Sequence, residues 1–515
     1  MPFESSAMVA KPLTAVHLPS PLGRGGRGEG QTERIFRATF GRIILAAAAA
    51  LIAGCAVGPD YKRPEVELPA AWQVAPAEGV KGVRDGWWTL YADPVLDRLV
   101  EEALANNRDL ALAAARVDEA RAFLRIADAQ FWPTVDAAAQ ADRSRSSERT
   151  AMRLPLGTPI ERENYRAQLN VAYEIDLWGR LRRGSEAAQA SLLATEAARY
   201  TVRITLATEV ARSYYALVAL DSQVEATRRS LQLRSDGLEL QKARQAAGLI
   251  DDFTLKQLEA EVAAARAQLP PLQARRTAEE LALAVLLGRS PRAIMEDAFA
   301  VAEDRSSLAP AVVPEGLPSD LLLRRPDVVE AEQRLVAANA RIGEARAQLF
   351  PRIGLTGYLG SESASLSDLF TGPAGIWQIA FGLAQPIFQG GRLLGEIDAT
   401  EARQRQALAG YQKTLQEAFR EVRTALSTQS RARETFEAES VRVAALTETL
   451  RLALIRYKTG LLSQLEVIDA ERNLLQAELN RIDALRVQRA AVADVVRALG
   501  GGWEGFEPAP VAQAR

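Results

Sequence analysis

Residues 165–178 read YRAQLNVAYEIDLW. Tyr165, Ala167, Leu169, Val171, Tyr173, Ile175 and Leu177 fall on one side of an extended chain. Arg166, Gln168, Asn170, Glu174 and Asp176 fall on the other. Period-two alternation is the pattern of a strand with one apolar and one polar face. Trp377, Ile379, Phe381 and Leu383 repeat it, against Gln378, Ala380, Gly382 and Ala384. With two further runs the chain has four such strands, read as Thr134–Asp142, Tyr165–Leu177, Arg352–Leu359 and Trp377–Ile387. Segments near ten residues long with this alternation fit a membrane barrel, lipid outside and water inside. A half-buried sheet in water has the same pattern.

Very long helices follow two of these strands. Arg180–Ala246 runs 67 residues without a Pro, and Arg392–Thr459 runs 68. At 1.5 Å per residue each is roughly 100 Å long. Ile204, Ala207, Ala211, Tyr214 and Val218 recur at spacings of 3 and 4, as do Val443, Leu446, Leu450, Ala453 and Tyr457. Such seams are the mark of coiled-coil packing. A simple two-stranded coiled coil would show them too, but both helices reverse at a Gly and return. Gly at a reversal supplies the positive φ that ends a helix. Pro270-Pro271 is expected to break the first returning helix; the second has no counterpart.

The chain repeats its own plan. Asn107-Arg108-Asp109 resembles Arg325-Pro326-Asp327, and Phe131-Trp132-Pro133 resembles Leu349-Phe350-Pro351, both at an offset of 218. Trp178-Gly179-Arg180 resembles Gly390-Gly391-Arg392, Gly248-Leu249 resembles Gly460-Leu461, and Leu287-Gly288 resembles Leu499-Gly500, all at 212. One change of loop length between Pro133 and Gly179 explains the step. An internal duplication is therefore expected, with a first repeat over 98–314 (hairpin 180–288) and a second over 315–500 (hairpin 392–499). Residues 55–97 precede them as an extended segment, and 501–515 follow as a tail.

Composition narrows the chemistry. Of 515 residues 48% are hydrophobic, 25% charged and 6% aromatic, and 63 basic against 65 acidic residues leave a charge of −2. That balance gives no argument for nucleic acid, and ample apolar content argues against disorder. The single Cys is Cys55 and the single His is His17. Arg34, Arg37 and Arg42 precede the 11-residue apolar run Ile43–Ala53, too short to span a bilayer, which needs about 20. A basic segment, a short apolar core and small residues before a cut describe a signal peptide. Residues 1–54 are then a leader, and residues 1–33 read as a start site placed too early.

The run ends Leu51-Ile52-Ala53-Gly54-Cys55, which resembles a bacterial lipobox, with Cys55 as the lipidated N-terminus. The plainer reading is a buried Cys behind an ordinary signal. Once the leader is gone no His remains, which excludes a Ser-His-Asp triad, a Cys-His dyad and a Cys/His metal site. No cofactor is expected beyond the covalent lipid, and no enzyme motif is present.

No stretch after Cys55 is long enough for an apolar membrane helix, so any crossing must use strands. Backbone groups in lipid must all be paired, and four strands cannot close a barrel that needs at least eight. A membrane reading thus forces several chains to pool their strands.

Several stretches carry a family resemblance: Cys55-Ala56-Val57-Gly58-Pro59-Asp60-Tyr61 with Pro64; WWTLY at 87–91 with Asp93-Pro94 and Leu96; GLPSDLLLRRPD at 316–327; and YEIDLWGR at 173–180. Over essentially the whole chain after Cys55 the sequence resembles an outer membrane factor of the TolC-like family, in its OprM/NodT-type lipoprotein branch. The resemblance implies a mainly α protein with a membrane β part. Long hairpins would form a periplasmic α-barrel, and four strands per chain a 12-stranded barrel in a homotrimer. It implies an exit duct of a tripartite efflux system in the outer membrane, passively conducting small molecules. Its partners would be a periplasmic adaptor, an inner-membrane RND-type transporter and outer membrane lipid. It further implies adaptor contact at the tips Gly248, Leu249, Gly460, Leu461 and Ser463. Tyr457 would serve as a gate, with Glu466 and Asp469 as an acidic ring above the closed end. Ordinary helix-capping at the tips and a solvated acidic face are the plain alternatives. Arg456 and Lys458 flank Tyr457 and are expected to neutralise part of the ring. A duct for secreted polypeptides and a coiled-coil lipoprotein tethering envelope layers remain the competing functions.

Overall fold

The computed structural model describes residues 56–65, 86–149, 157–296 and 324–501. The chain divides into two units, 1–55 and 56–515. The leader, Cys55, the Gly316–Leu323 part of the family stretch and the tail beyond Gly501 lie outside the described residues.

The second unit is mainly helical. After a short 3-10 turn, Trp87–Tyr91, come α1 (Pro94–Asn106), α2 (Arg108–Ala129), β1 (Thr134–Arg145) and β2 (Glu161–Ile175). Next are α3 (Arg180–Ala246), α4 (Asp252–Leu286) and the one-turn α5 (Pro291–Glu296). The rest is α6 (Pro326–Ala347), β3 (Arg352–Ser363), β4 (Gly375–Ala384), α7 (Arg392–Lys458) and α8 (Gln464–Ala498). The boundaries of α2 and β1 plus 218 give those of α6 and β3, and those of α3 and α4 plus 212 give those of α7 and α8. Helices α3 and α7 are each 67 residues, and α4 and α8 each 35.

The strands form one antiparallel sheet in the order β1-β2-β3-β4. Its register aligns Val135 with Val171, Val171 with Gly357, and Gly357 with Ile379. The alternation read from the sequence therefore adds up across all four strands into one apolar face and one polar face. The strand limits differ from the sequence reading. β1 extends from Asp142 to Arg145 and pairs with Glu161–Asn164, where both strands are polar and no apolar alternation marks them. β3 likewise runs on from Leu359 to Ser363. β2 stops at Ile175 rather than Leu177, because the Asp176 carboxylate turns to accept the Arg182 N–H of α3 at 2.9 Å. β4 begins at Gly375 and stops at Ala384 rather than Ile387, two residues before Pro386, whose nitrogen cannot donate to a ladder.

α3 packs between α2 and α6 near the sheet, and α6 packs in turn on α7. Further along, α3 packs on α4 and α8, and α8 on α7. The α3 seam residues Ile204, Ala207, Ala211, Tyr214 and Val218 are all buried. On the α7 seam only Ala453 is buried, and Val443, Leu446, Leu450 and Tyr457 are half-buried. α3 is flanked on both sides, whereas α7 lies at an open flank of the helix layer. The Pro270-Pro271 break does not occur: α4 continues through both residues. Both prolines are exposed, so the carbonyls that lose their N–H partners can turn to water.

The largest core lies where Trp87, Trp88 and Tyr91 pack with α1 on Tyr214, Tyr215 and Val210 of α3 and on Val492, Val495 and Val496 of α8. The buried Tyr214 hydroxyl donates to Asp93 at 2.8 Å, and that of Tyr91 to the Arg489 carbonyl at 2.6 Å. The Arg-Arg-Pro-Asp stretch is a clamp. Buried Arg325 donates to the Ala498 carbonyl at the end of α8 (2.6 Å), to Asp327 (2.7 Å) and to Glu421 of α7 (2.8 Å). Its 218-offset counterpart Asn107 donates to the Leu286 carbonyl at the end of α4, at 2.8 Å. Arg325→Met is expected to cost about 2 kcal/mol in thermal unfolding, below the 3–5 of a fully buried pair because Glu421 keeps 41% of its side chain exposed.

Candidate gate at the helix-hairpin tips

Both long helices end alike. The N–H of Gly248 donates to the Gln245 carbonyl and that of Leu249 to Arg244; the N–H of Gly460 donates to Tyr457 and that of Leu461 to Arg456. The two glycines have φ of 70° and 77°, with open space where a Cβ would lie. Backbone conformation, not crowding, selects glycine there. Asp251 caps α4 by accepting the Thr254 N–H. Ser463 caps α8 in a reciprocal box with Glu466: the Glu466 N–H reaches Ser463 Oγ, and Glu466 Oε2 accepts the Ser463 N–H at 2.9 Å.

The turns leave apolar side chains in solvent. Leu249 is 72% exposed and Leu461 78%. One helical turn on, Phe253 is 69% exposed and Leu465 52%. Phe253 and Leu465 were not singled out from the sequence, although they too are 212 apart. Each tip thus presents a two-residue apolar ridge with no core beneath it.

Tyr457 stands just above the second tip, held by the first hairpin. Its hydroxyl accepts from Gln241 Nε2 at 2.7 Å and from Arg244 Nη1 at 2.6 Å. The Arg244 guanidinium also lies 5.8 Å from the ring centroid. Buried Gln241 reaches Gln464 of α8 at 3.3 Å as well. Gln241 and Arg244, absent from the sequence reading, are the groups that tie Tyr457 down.

The two acidic residues do different work. Glu466 is exposed and occupied by the capping box; the Ser463 N–H and hydroxyl hold its carboxyl below the usual range. A depressed carboxyl contributes its cap at neutral pH and loses it as pH falls through the lowered value. Asp469 is half-buried and accepts from Arg472 at 2.6 Å. Among the described residues Arg472 is the group paired with its charge. Arg472 also lies 3.8 Å from Glu261 of α4, and Glu261 lies 3.4 Å from buried Arg234 of α3. Burial pushes neighbouring Glu471 above the usual carboxylate range, and Arg234 pulls it partly back. A second set of charges therefore joins the hairpins above the Tyr457 clasp.

A four-stranded sheet with an apolar and a polar face is continued by two hairpins, each pairing a 67-residue helix with one of 35. The chain belongs to the outer membrane efflux protein family, which matches residues 99–289 and 317–501. It is 35% identical over 468 residues to the probable efflux pump outer membrane protein TtgC of Pseudomonas putida, covering 90% of this chain and 95% of that one. It is 33% identical over 458 residues to the cation efflux system protein CusC of Escherichia coli, covering 88% and 97%. The crystal structure of the CmeC outer membrane channel of Campylobacter jejuni superposes with a TM-score of 0.80 at 25% identity, covering 87% of this chain and 95% of that one.

Proposed function

We propose that three copies of this chain form the exit duct of a tripartite efflux system, passively conducting small molecules out across the outer membrane. The sheet carries this reading. It has a continuous apolar face, and among the described residues β1 and β4 each have one unpaired edge. Those edges cannot face lipid unpaired, and three sheets of four strands supply a closed barrel of twelve. The helix layer supports the same closure. Leu112, Phe123 and Ile126 on α2 and Leu394, Val441, Leu452 and Ile455 on α7 are large, apolar and exposed. They line the two outer flanks that neighbouring copies would cover. The two stretches matched by one family, together with the repeated element lengths, support descent from an internal duplication.

The remaining roles follow from place. Cys55, bonded to Ala56, would carry the lipid anchor. The tips would receive a periplasmic adaptor, itself bound to an RND-type inner-membrane transporter that supplies the energy. Tyr457 would close the tunnel, with Glu466 and Asp469 of three chains forming an acidic collar that attracts cations. Replacing Leu249 and Leu461 by Asp is expected to weaken adaptor binding at least tenfold, since desolvated apolar anchors dominate such contacts. Trimer formation should be unchanged. Co-purification with the cognate adaptor measures the first and native mass the second. Membrane fractionation followed by planar-bilayer conductance tests the whole proposal. A protein recovered from the soluble fraction, without conductance, would reject it.

A further inference from the structure

Just past the sheet, a groove runs between α2 and α3 and ends on α6. It encloses about 660 Å³, within the roughly 300–1,000 Å³ of ligand pockets. Leu181 and Ala187 of α3 and Ala120 and Phe123 of α2 give it an apolar wall. Leu181 and Ala187 are buried, and Phe123 stands exposed at the rim. Arg180, the first residue of α3, shows which way the groove faces. It lines the groove, and its guanidinium donates to both carboxylate oxygens of Glu174 at 2.9 Å. Glu174 lies on the polar face of β2, opposite Gly354. The groove therefore sits on the side of the helix layer that continues the polar face. In a trimeric duct that side is the wall of the tunnel, and the neighbour that covers the α2 flank would close the groove's outer edge.

Charge in this groove is unspent. Besides Arg180 it is lined by Arg116, Glu119, Arg341 and Glu344. Among the described residues none of those four side chains has an ion pair or a hydrogen bond. Arg116, Glu119 and Arg341 are exposed, so water can satisfy them, but Glu344 is half-buried. Burial holds its carboxyl above the usual range, and Arg180 and Arg341 pull it partly back. Burying a carboxylate is costly unless a partner meets it. Gly184 of α3 faces the same carboxyl. A Cβ there would lie 3.7 Å from Glu344 Oε1, an ordinary contact, so packing does not demand glycine. Glycine inside a helix is less stable than alanine; what it gives here is open space beside Glu344.

We propose that this groove is a binding station for amphiphilic organic cations passing through the duct, with the cation at Glu344 and the apolar body along Leu181 and Phe123. The proposal rests on the duct reading and adds the class of cargo that the wall receives. A neutral molecule would leave the carboxylate unmet. An anion would find its partners only in the exposed Arg116 and Arg341, whose water it would have to displace. Access does not require an open gate. The groove lies where α3 leaves the sheet, whereas Tyr457 lies at the far end of α7, so a molecule entering from the sheet side reaches the groove first.

The test uses the full chain in nanodiscs of phosphatidylcholine, a lipid without net charge. Fluorescence anisotropy reads the binding of rhodamine 6G, an aromatic cation, and of fluorescein, an anion on the same xanthene ring system. Empty nanodiscs give the lipid background. The expected result is saturable binding of rhodamine 6G and little of fluorescein. Glu344→Gln should weaken rhodamine 6G roughly fivefold, the upper range for a partly exposed ion pair. Gly184→Leu, which fills the space and leaves the charge, should weaken it several-fold too. Native mass checks that the variants assemble as the wild type does, and the wild-type preference for the cation stands without them. Equal binding of rhodamine 6G by all three proteins would overturn the station and leave the duct standing. So would fluorescein bound as tightly, or no saturable binding because a neighbour's helix fills the groove. A wild type that neither assembles nor conducts in planar bilayers would overturn the duct reading beneath it.

Discussion

Leu169→Arg should remove the protein from the outer membrane, while Asn170→Arg should leave it there. The two residues are neighbours on β2 and differ only in the face they serve. Leu169 lies midway along the apolar face, opposite Ala137 and Leu359. An arginine in mid-bilayer on the lipid side of a barrel costs about 2–4 kcal/mol, and three chains multiply that to roughly 6–12 per assembly. Asn170 lies on the polar face, opposite Asp136 and Tyr358, where an arginine can stay in water. The fraction of protein in the outer membrane and the fraction of heat-labile trimer measure the contrast. Equal behaviour of the two variants would mean that the faces are assigned wrongly or that the sheet does not meet lipid.

The second large effect belongs to the tips. Tyr457→Phe removes the hydroxyl that takes both Gln241 and Arg244 while leaving the ring in place. One neutral and one charge-assisted hydrogen bond together contribute about 2–4 kcal/mol. At 1.4 kcal/mol per tenfold, the balance between closed and open hairpins shifts roughly 30-fold or more per chain. Open-channel conductance should rise, and cells should take up large antibiotics more readily. Gln241→Ala combined with Arg244→Ala should do the same from the opposite hairpin. The triple combination should add little, because all three changes cut one contact. Unchanged conductance in Tyr457→Phe would show that closure is held elsewhere, most plainly at Glu261 and Arg472.

How much of this could be read beforehand depended on the kind of signal. The long helices were legible because nothing interrupts them: the first Pro-free run, Arg180–Ala246, coincides with α3. The strands were legible where apolar alternation marks them, and lost their ends where β1 and β2 become polar on both faces. Pro270-Pro271 misled because both lie on the exposed side of α4, where the carbonyls that lose their N–H partners can turn to water. The tip leucines followed from the glycine turns. Phe253 and Leu465 could have been found by carrying the 212 offset one turn further.

The clasp on Tyr457 left no such trace. Gln241 and Arg244 lie more than 200 residues from it, and long-range contacts have no period. The repeat offers a weaker hint. Tyr457 corresponds at offset 212 to Gln245, and Asp469 to Gln257, so only the second hairpin carries the groups assigned to gating. The first hairpin supplies the donors that hold Tyr457, whereas Asp469 is met by Arg472 within the second.

A duct built from this chain requires one wall shared among identical copies. Native mass spectrometry of the detergent-extracted, full-length product weighs that directly. A species of three chains, persisting until the detergent micelle is stripped, is the expected result. A single chain that keeps its four-stranded sheet folded in detergent-free buffer would contradict it.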